Sequence, residues 1–302
     1  MRLLIDEKKN ELKRMKRIVL ISCIGLALLS CTLSLQSQTP EHTGPVKVVL
    51  PNTDQFSIVS ESVKGENYTI QVGLPAGYSG SGKSYDVLYV LDGDKSFGMT
   101  KELVDWLTWD GEIKSIIVVG ISYGKGADAW WTKRARDFTL YKDTVYYYYP
   151  NAGGADNFLK FLKEEVFPAV NSRYRTNPDS STLMGLSFGG LLTSYALFSQ
   201  PSMFRKYMII SPSLFWNNNS ILYTEASYFN DHKDLNKTVY LAYGSLDDPD
   251  WTINPTNEFI KAVKEHNYSG FRFVPEIFKG ETHISVFPVA MTHGLKLMFR
   301  KQ

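Results

Sequence analysis

Along the chain, short unbroken apolar runs alternate with segments whose apolar residues recur every third or fourth position. Asp86-Val-Leu-Tyr-Val-Leu-Asp92 and Ile116-Ile-Val-Val-Gly-Ile121 are nearly continuous apolar runs, the pattern of strands covered on both faces. Ser181-Thr-Leu-Met-Gly185, Tyr207-Met-Ile-Ile-Ser211 and Val239-Tyr-Leu-Ala-Tyr-Gly244 repeat it, and a further strand starts at Phe273. Phe56, Ile58 and Val63, followed by Tyr68 to Leu74, fit an early antiparallel pair. Helical spacing marks Asn157 to Val170, Gly190 to Leu197, Phe259 to His266 and Val289 to Phe299. Strands that alternate with helices predict an α/β fold with a mostly parallel central sheet and helices on both faces. Residues 51–302 are long enough for one such domain.

The first 50 residues follow a different rule. Lys13, Arg14, Lys16 and Arg17 precede the apolar run Ile18 to Leu29, and Ser30-Cys31 follows. A basic stretch, a short apolar stretch and a small residue describe a secretory signal, which assigns residues 1–31 to export. Met1 and Met15 are both candidate starts. Leu28-Leu29-Ser30-Cys31 resembles a bacterial lipobox, which makes Cys31 the candidate lipidation site and the mature N-terminus. Cleavage after Ser34 and an uncleaved anchor are the alternatives, and the run falls short of the ~20 apolar residues of a comfortable spanning helix. Residues 32–50, with two prolines between Thr39 and Pro45, read as a tether. The expected location is therefore outside the cytoplasm, as a periplasmic or outer-membrane lipoprotein whose membrane contact is the lipid anchor.

Composition narrows the chemistry. A formal net charge of +2 over 302 residues, with much of the basic excess in the leader, gives no electrostatic case for nucleic acid. Both cysteines, Cys23 and Cys31, lie in the leader, so the domain has no disulfide, thiolate nucleophile or cysteine-ligated zinc. Gly77-Tyr-Ser-Gly-Ser-Gly-Lys83-Ser84 matches the phosphate-loop pattern letter for letter. Such a loop needs a helix directly after Lys-Ser, because the helix N-terminus holds the phosphates. Here Lys83-Ser84 runs straight into a strand, which argues for a connector.

Gly185-Leu186-Ser187-Phe188-Gly189 follows a strand and opens a helix. A nucleophile elbow needs residues without Cβ beside its serine, so that the turn can project Oγ into a cleft. The amide of Phe188 then faces a developing oxyanion. A serine also needs a base and an orienting acid, in the chain order Ser, Asp or Glu, His. His283 lies after the last strand in a Gly turn, where a base is expected, whereas His266 and His293 fall in helix patterns and His232 precedes the acid strand. Asp247 leaves the strand Val239 to Tyr243 three positions after Gly244, with Asp248 in reserve. A calcium loop would alternate its acids and end on a distal Glu, and this segment does neither. The second oxyanion amide is assigned to Asp94, in the Asp92-Gly93-Asp94 loop.

Taken together, Tyr85 to Asp94, Arg134-Ala-Arg-Asp137-Phe-Thr, Gly153 to Leu162, Tyr174-Arg-Thr, Gly185 to Leu191, Pro201-Ser-Met-Phe, Ser211-Pro-Ser-Leu-Phe-Trp216 and Gly280-Glu-Thr-His283 make the chain resemble a known family. This is the enterochelin-esterase-like family of α/β-hydrolases, which includes mycolyltransferases and feruloyl and S-formylglutathione esterases. The resemblance runs from about Phe56 to Phe299. It implies an α/β-hydrolase fold, Ser187, Asp247 and His283 as triad, the Phe188 and Asp94 amides as oxyanion hole, and neither metal nor organic cofactor. Many relatives carry Glu at the position of Asp247 and Met at that of Phe188.

The expected function is an exported serine carboxylic-ester hydrolase that passes through an acyl-enzyme, on small-molecule or glycan esters such as siderophore or feruloyl-sugar esters. An acyltransferase of the same fold and a non-catalytic binding lipoprotein are the alternatives. Trp130-Trp131, Trp216 and the run Tyr146 to Tyr149 are candidates for an acyl or aromatic pocket, or equally for core packing. Arg134 and Arg136 are candidates for holding an anionic substrate, or equally for pairing with Asp137.

Overall fold

The apolar runs pair into one eight-stranded sheet with strand order β1-β2-β4-β3-β5-β6-β7-β8. The strands are β1 (Thr53–Val59), β2 (Asn67–Gly73), β3 (Tyr85–Val90), β4 (Ile116–Ser122), β5 (Thr176–Leu186), β6 (Lys206–Ile210), β7 (Thr238–Gly244) and β8 (Arg272–Phe278). β1 and β2 pair antiparallel, as do β2 and β4, and every later pairing is parallel. The computed structural model describes Glu11 and residues 48–124, 129–142 and 149–301. The leader with Cys31, and Tyr146 to Tyr148 of the tyrosine run, lie outside the described residues. All the elements named here belong to the compact unit Leu50–Gln302.

Alternation within each strand splits the core in two. Val87, Tyr89, Ile117, Val119, Leu183, Ile209 and Leu241 face one cluster, and Leu88, Val90, Val118, Met184, Ile210 and Ala242 face the other. This is the period of two expected when both faces are covered. Helices α1 (Gly93–Trp109) and α7 (Val286–Phe299) pack together on the second face. On the first lie α2 (Trp130–Phe138), α3 (Ala155–Phe161, continuing through a π turn to Arg173), α4 (Phe188–Ser199), α5 (Ile221–Asp231) and α6 (Asn254–His266).

Three of these helices, α1, α2 and α5, are not among those the apolar spacing marked. Each buries polar side chains on the face a helix normally keeps apolar: Ser96, Thr100 and Lys101 in α1, Arg134 and Asp137 in α2, Glu225 in α5. The Asp92-Gly93-Asp94 segment is accordingly not a loop. Asp92 is the left-handed N-cap of α1 (φ 54°, ψ 43°) and Gly93 begins the helix. The segment Gly77 to Ser84 does hold one helical turn, Tyr78–Ser81, but it precedes Lys83, and β3 begins at Tyr85. No helix N-terminus follows the lysine, so the phosphate-loop geometry is missing.

Candidate active site

The parallel strands deliver their C-terminal ends to one edge of the sheet, the edge where open α/β folds place ligands. β5 ends there at Leu186, and Ser187 joins it directly to α4 with φ 62° and ψ −120°. A non-glycine residue avoids that region unless its surroundings force it. Here they do. A Cβ on Gly185 would lie 2.2 Å from the Gly189 carbonyl oxygen, and one on Gly190 would lie 2.9 Å from Pro212 Cα, so only glycine permits the turn to close. Ser187 N–H donates to the Ile210 carbonyl at 3.1 Å, and its carbonyl accepts from Leu191 N at 2.9 Å and Ser213 N at 3.1 Å. Its Oγ shares a hydrogen bond with Ser213 Oγ at 3.2 Å.

β7 and β8 bring the other two groups together. His283 Nδ1 lies 3.0 Å from Asp247 Oδ1 and 3.1 Å from Oδ2. The carboxylate only accepts, so Nδ1 carries the proton and Nε2 is left with its lone pair. Asp247 also accepts from the Asp248 amide at 2.9 Å and is 5% exposed. Burial pushes its carboxyl up, but His283, the Ser211 hydroxyl and the Asp248 amide outweigh it together, holding the carboxyl below its ordinary range. Asp248 is occupied locally instead. Its Oδ1 caps the turn Pro249–Ile253, accepting from the Asp250 and Trp251 amides at 2.9 Å each. Of the two acids, Asp247 is the one placed against His283.

Ser187 and His283 line the same cleft, which has two lobes. One, of about 470 Å³, adds Trp131, Tyr149, Phe188, Phe215, Leu246 and Trp251. The other, of about 490 Å³, adds Leu91, Lys95, Met99, Trp130, Phe287 and Pro288. Trp131 and Arg134 line both. As the first residue of α4, Phe188 has an amide without an intrahelical acceptor, and Asp94, second in α1, shares that property. The Asp94 carboxylate is engaged elsewhere, accepting from Tyr123 N at 2.7 Å and Gly124 N at 3.1 Å. Among the described residues, no group of three or more His, Cys, Asp or Glu side chains is placed to hold a metal ion.

The three substrate-binding candidates are placed differently from one another. Arg134 reaches the cleft, but its guanidinium is bidentate to Asp92 at 2.9 and 2.8 Å. Arg136 turns to Asp137, Glu66 and the Tyr68 hydroxyl, so both guanidiniums are paired with carboxylates. Trp216 is 1% exposed, stands behind Phe188 at 5.2 Å between ring centres, and lines neither lobe. Ser213, Ser211 and Asp92 were not singled out by the sequence. The repeated Ser-Pro-Ser at 211–213 is the signal that points to the first two.

A family model described as “Putative esterase” matches residues 60–289. The siderophore triacetylfusarinine C esterase of Aspergillus fumigatus is 30% identical, over 84% of this chain and 96% of its own. The ferri-bacillibactin esterase BesA of Bacillus subtilis is also 30% identical, over 70% of this chain and 78% of its own. Among solved structures, the BES protein of Bacillus cereus superposes with a TM-score of 0.76 at 29% identity, covering 86% of this chain and all of that one.

Proposed function

The chain belongs to the “Putative esterase” family, and on that premise we propose that it is a serine carboxylic-ester hydrolase acting on siderophore esters. The observation that carries the proposal is the strained Ser187 elbow opening into the cleft that the Asp247-held His283 also lines. His283 Nε2 takes the Ser187 proton as Oγ attacks the ester carbonyl. The carbonyl oxygen becomes an oxyanion between the Phe188 and Asp94 amides, and collapse expels the alcohol, which receives its proton from His283. Water, deprotonated by the same imidazole, then attacks the acyl-enzyme, and the imidazolium returns the proton to Ser187 Oγ as the acid leaves. Asp247 keeps the imidazole in the Nδ1–H tautomer and stabilises the imidazolium formed at each step. The reaction needs no metal or organic cofactor.

The substrate class is supported by the two relatives named for siderophore esters. The cleft suits a large ester with a body on each side of the scissile bond, since the lobes meet at Ser187 and His283. The basic leader, its short apolar run and Ser30-Cys31 support export, with Cys31 diacylated and the domain held outside the cytoplasm through residues 32–50. Two or more acyl chains anchor stably where one alone does not.

Activity on 4-nitrophenyl acetate and on ferric and iron-free siderophore esters tests the proposal. Ser187→Ala is expected to lower kcat about 10⁴-fold or more in a folded protein. Retention of a tenth of wild-type activity would reject Ser187, and inertness toward every siderophore ester would reject the substrate class alone. Mass spectrometry of the membrane-fraction N-terminus tests the anchor: a diacylated Cys31 supports it, and an unmodified start near Thr39 refutes it.

A further inference from the structure

Arg134 is 2% exposed and lines both lobes of the cleft, yet its Nε and Nη2 are turned to the protein. Nε donates to Asp92 Oδ1 at 2.9 Å and Nη2 to Oδ2 at 2.8 Å, while Nη2 also reaches the Leu186 carbonyl at 3.4 Å. The guanidinium carbon lies 4.7 Å from the Trp130 ring centre and 5.3 Å from that of Phe188. These partners sit at two strand ends. Asp92 stands two residues before Asp94, the first oxyanion donor, and Leu186 two residues before Phe188, the second. Asp92 also holds a left-handed backbone, which is costly for an L-residue. One planar fork therefore spans the gap between the segments supplying the two amides.

We infer that Arg134 is a positioning residue for the oxyanion hole, clamping the Asp92–Asp94 turn against the Leu186–Phe188 elbow so that the two amides converge on one point. The inference rests on the serine-esterase reading above. Arg134 acts through Asp92 and Leu186 and does not bind an anionic substrate. A bidentate, ring-stacked guanidinium is the group suited to such a clamp, because an ammonium offers charge without the fork.

A small uncharged substrate, 4-nitrophenyl acetate, separates positioning from substrate binding, since it offers no anion for Arg134. Removing one oxyanion donor costs about 10²–10³-fold in kcat elsewhere. Arg134→Met is expected to lose about 10²-fold in kcat with KM within about threefold, and Arg134→Lys to recover part of that loss. The inhibition constant of benzeneboronic acid, whose serine adduct places an oxygen in the hole, should rise in parallel with the loss in kcat. Asp92→Asn keeps the shape and removes the charge; with Arg134→Lys it decides the matter if Arg134→Met does not fold. Folded Arg134→Lys and Asp92→Asn proteins with kcat within about threefold of wild type would overturn the inference, as would a loss confined to KM. Ser187→Ala, run alongside, separates the two readings. If it stays active, the serine-esterase reading falls and this inference with it; if only Arg134 and Asp92 prove dispensable, the inference falls alone.

Discussion

Gly244 ends β7 where the acid loop passes closest to the histidine loop, and Gly244→Ala tests how far the catalytic geometry depends on that approach. A methyl carbon at 244 would stand 2.2 Å from the Glu281 carbonyl oxygen, 2.6 Å from Glu281 C and 3.1 Å from the Thr282 oxygen. All three are backbone atoms, so none can swing aside as a side chain would. Bringing the 2.2 Å contact out to the 3.0 Å that real side-chain carbons respect requires a retreat of about 0.8 Å. The same Glu281 oxygen accepts from Leu246 N at 2.9 Å, so the retreat also strains the bond that ties the two loops. His283 follows two residues later. Its 3.0 Å contact with Asp247, lengthened by that amount, leaves hydrogen-bond range. A misplacement near 1 Å costs about 10²-fold, and loss of the acid altogether about 10⁴-fold. The expected result is a kcat on 4-nitrophenyl acetate about 10²-fold below wild type, with KM little changed and overpacking destabilising the fold by about 1–3 kcal/mol. Steady-state kinetics beside a urea titration measure both. A variant with kcat within threefold of wild type would refute the reasoning, because the loops would then tolerate a shift the contacts forbid.

Three further outcomes follow from the same geometry. Asp247→Asn should lower kcat about 10⁴-fold, while Asp248→Asn, whose amide oxygen keeps the cap, leaves kcat and stability nearly unchanged; equal kinetic losses would undo the assignment. Because the Asp247 carboxyl is depressed, the stability it contributes is present above the ordinary carboxylate value, about pH 4, and is lost as pH falls through the lower folded value. Denaturation midpoints of wild type should therefore fall relative to Asp247→Asn as pH drops below about 4, and a difference that stays constant through that range would contradict this. Arg136→Met leaves Asp137, 0% exposed, with only the Tyr68 and Tyr123 hydroxyls as partners. It should cost about 3–5 kcal/mol by chemical denaturation, with KM for an anionic ester unchanged; a raised KM and unchanged stability would restore its role in substrate binding.

Local pattern was enough to read the sheet and to pick out the groups that meet at its edge. Strands β3 to β7 were legible because burial on both faces writes continuous apolar runs, and local periodicity needs no knowledge of the neighbours. Ser187 was legible because the elbow demands glycines at fixed offsets, and His283 and Asp247 because chain order places base and acid after particular strands. The structure alone decided what depends on partners far along the chain. Helix α2 turns Arg134 and Asp137 inward, which burial tolerates only when ion pairs and hydroxyls from elsewhere in the chain meet them. Arg134 finds Asp92 across 42 positions and Leu186 across 52. For the same reason α1, with its buried Ser96, Thr100 and Lys101, went unread as a helix, and Arg134 and Arg136 stayed open between holding an anion and pairing with Asp137. An apolar residue records its burial in its own chemistry, whereas a charged one is spent or available only according to what the fold sets beside it.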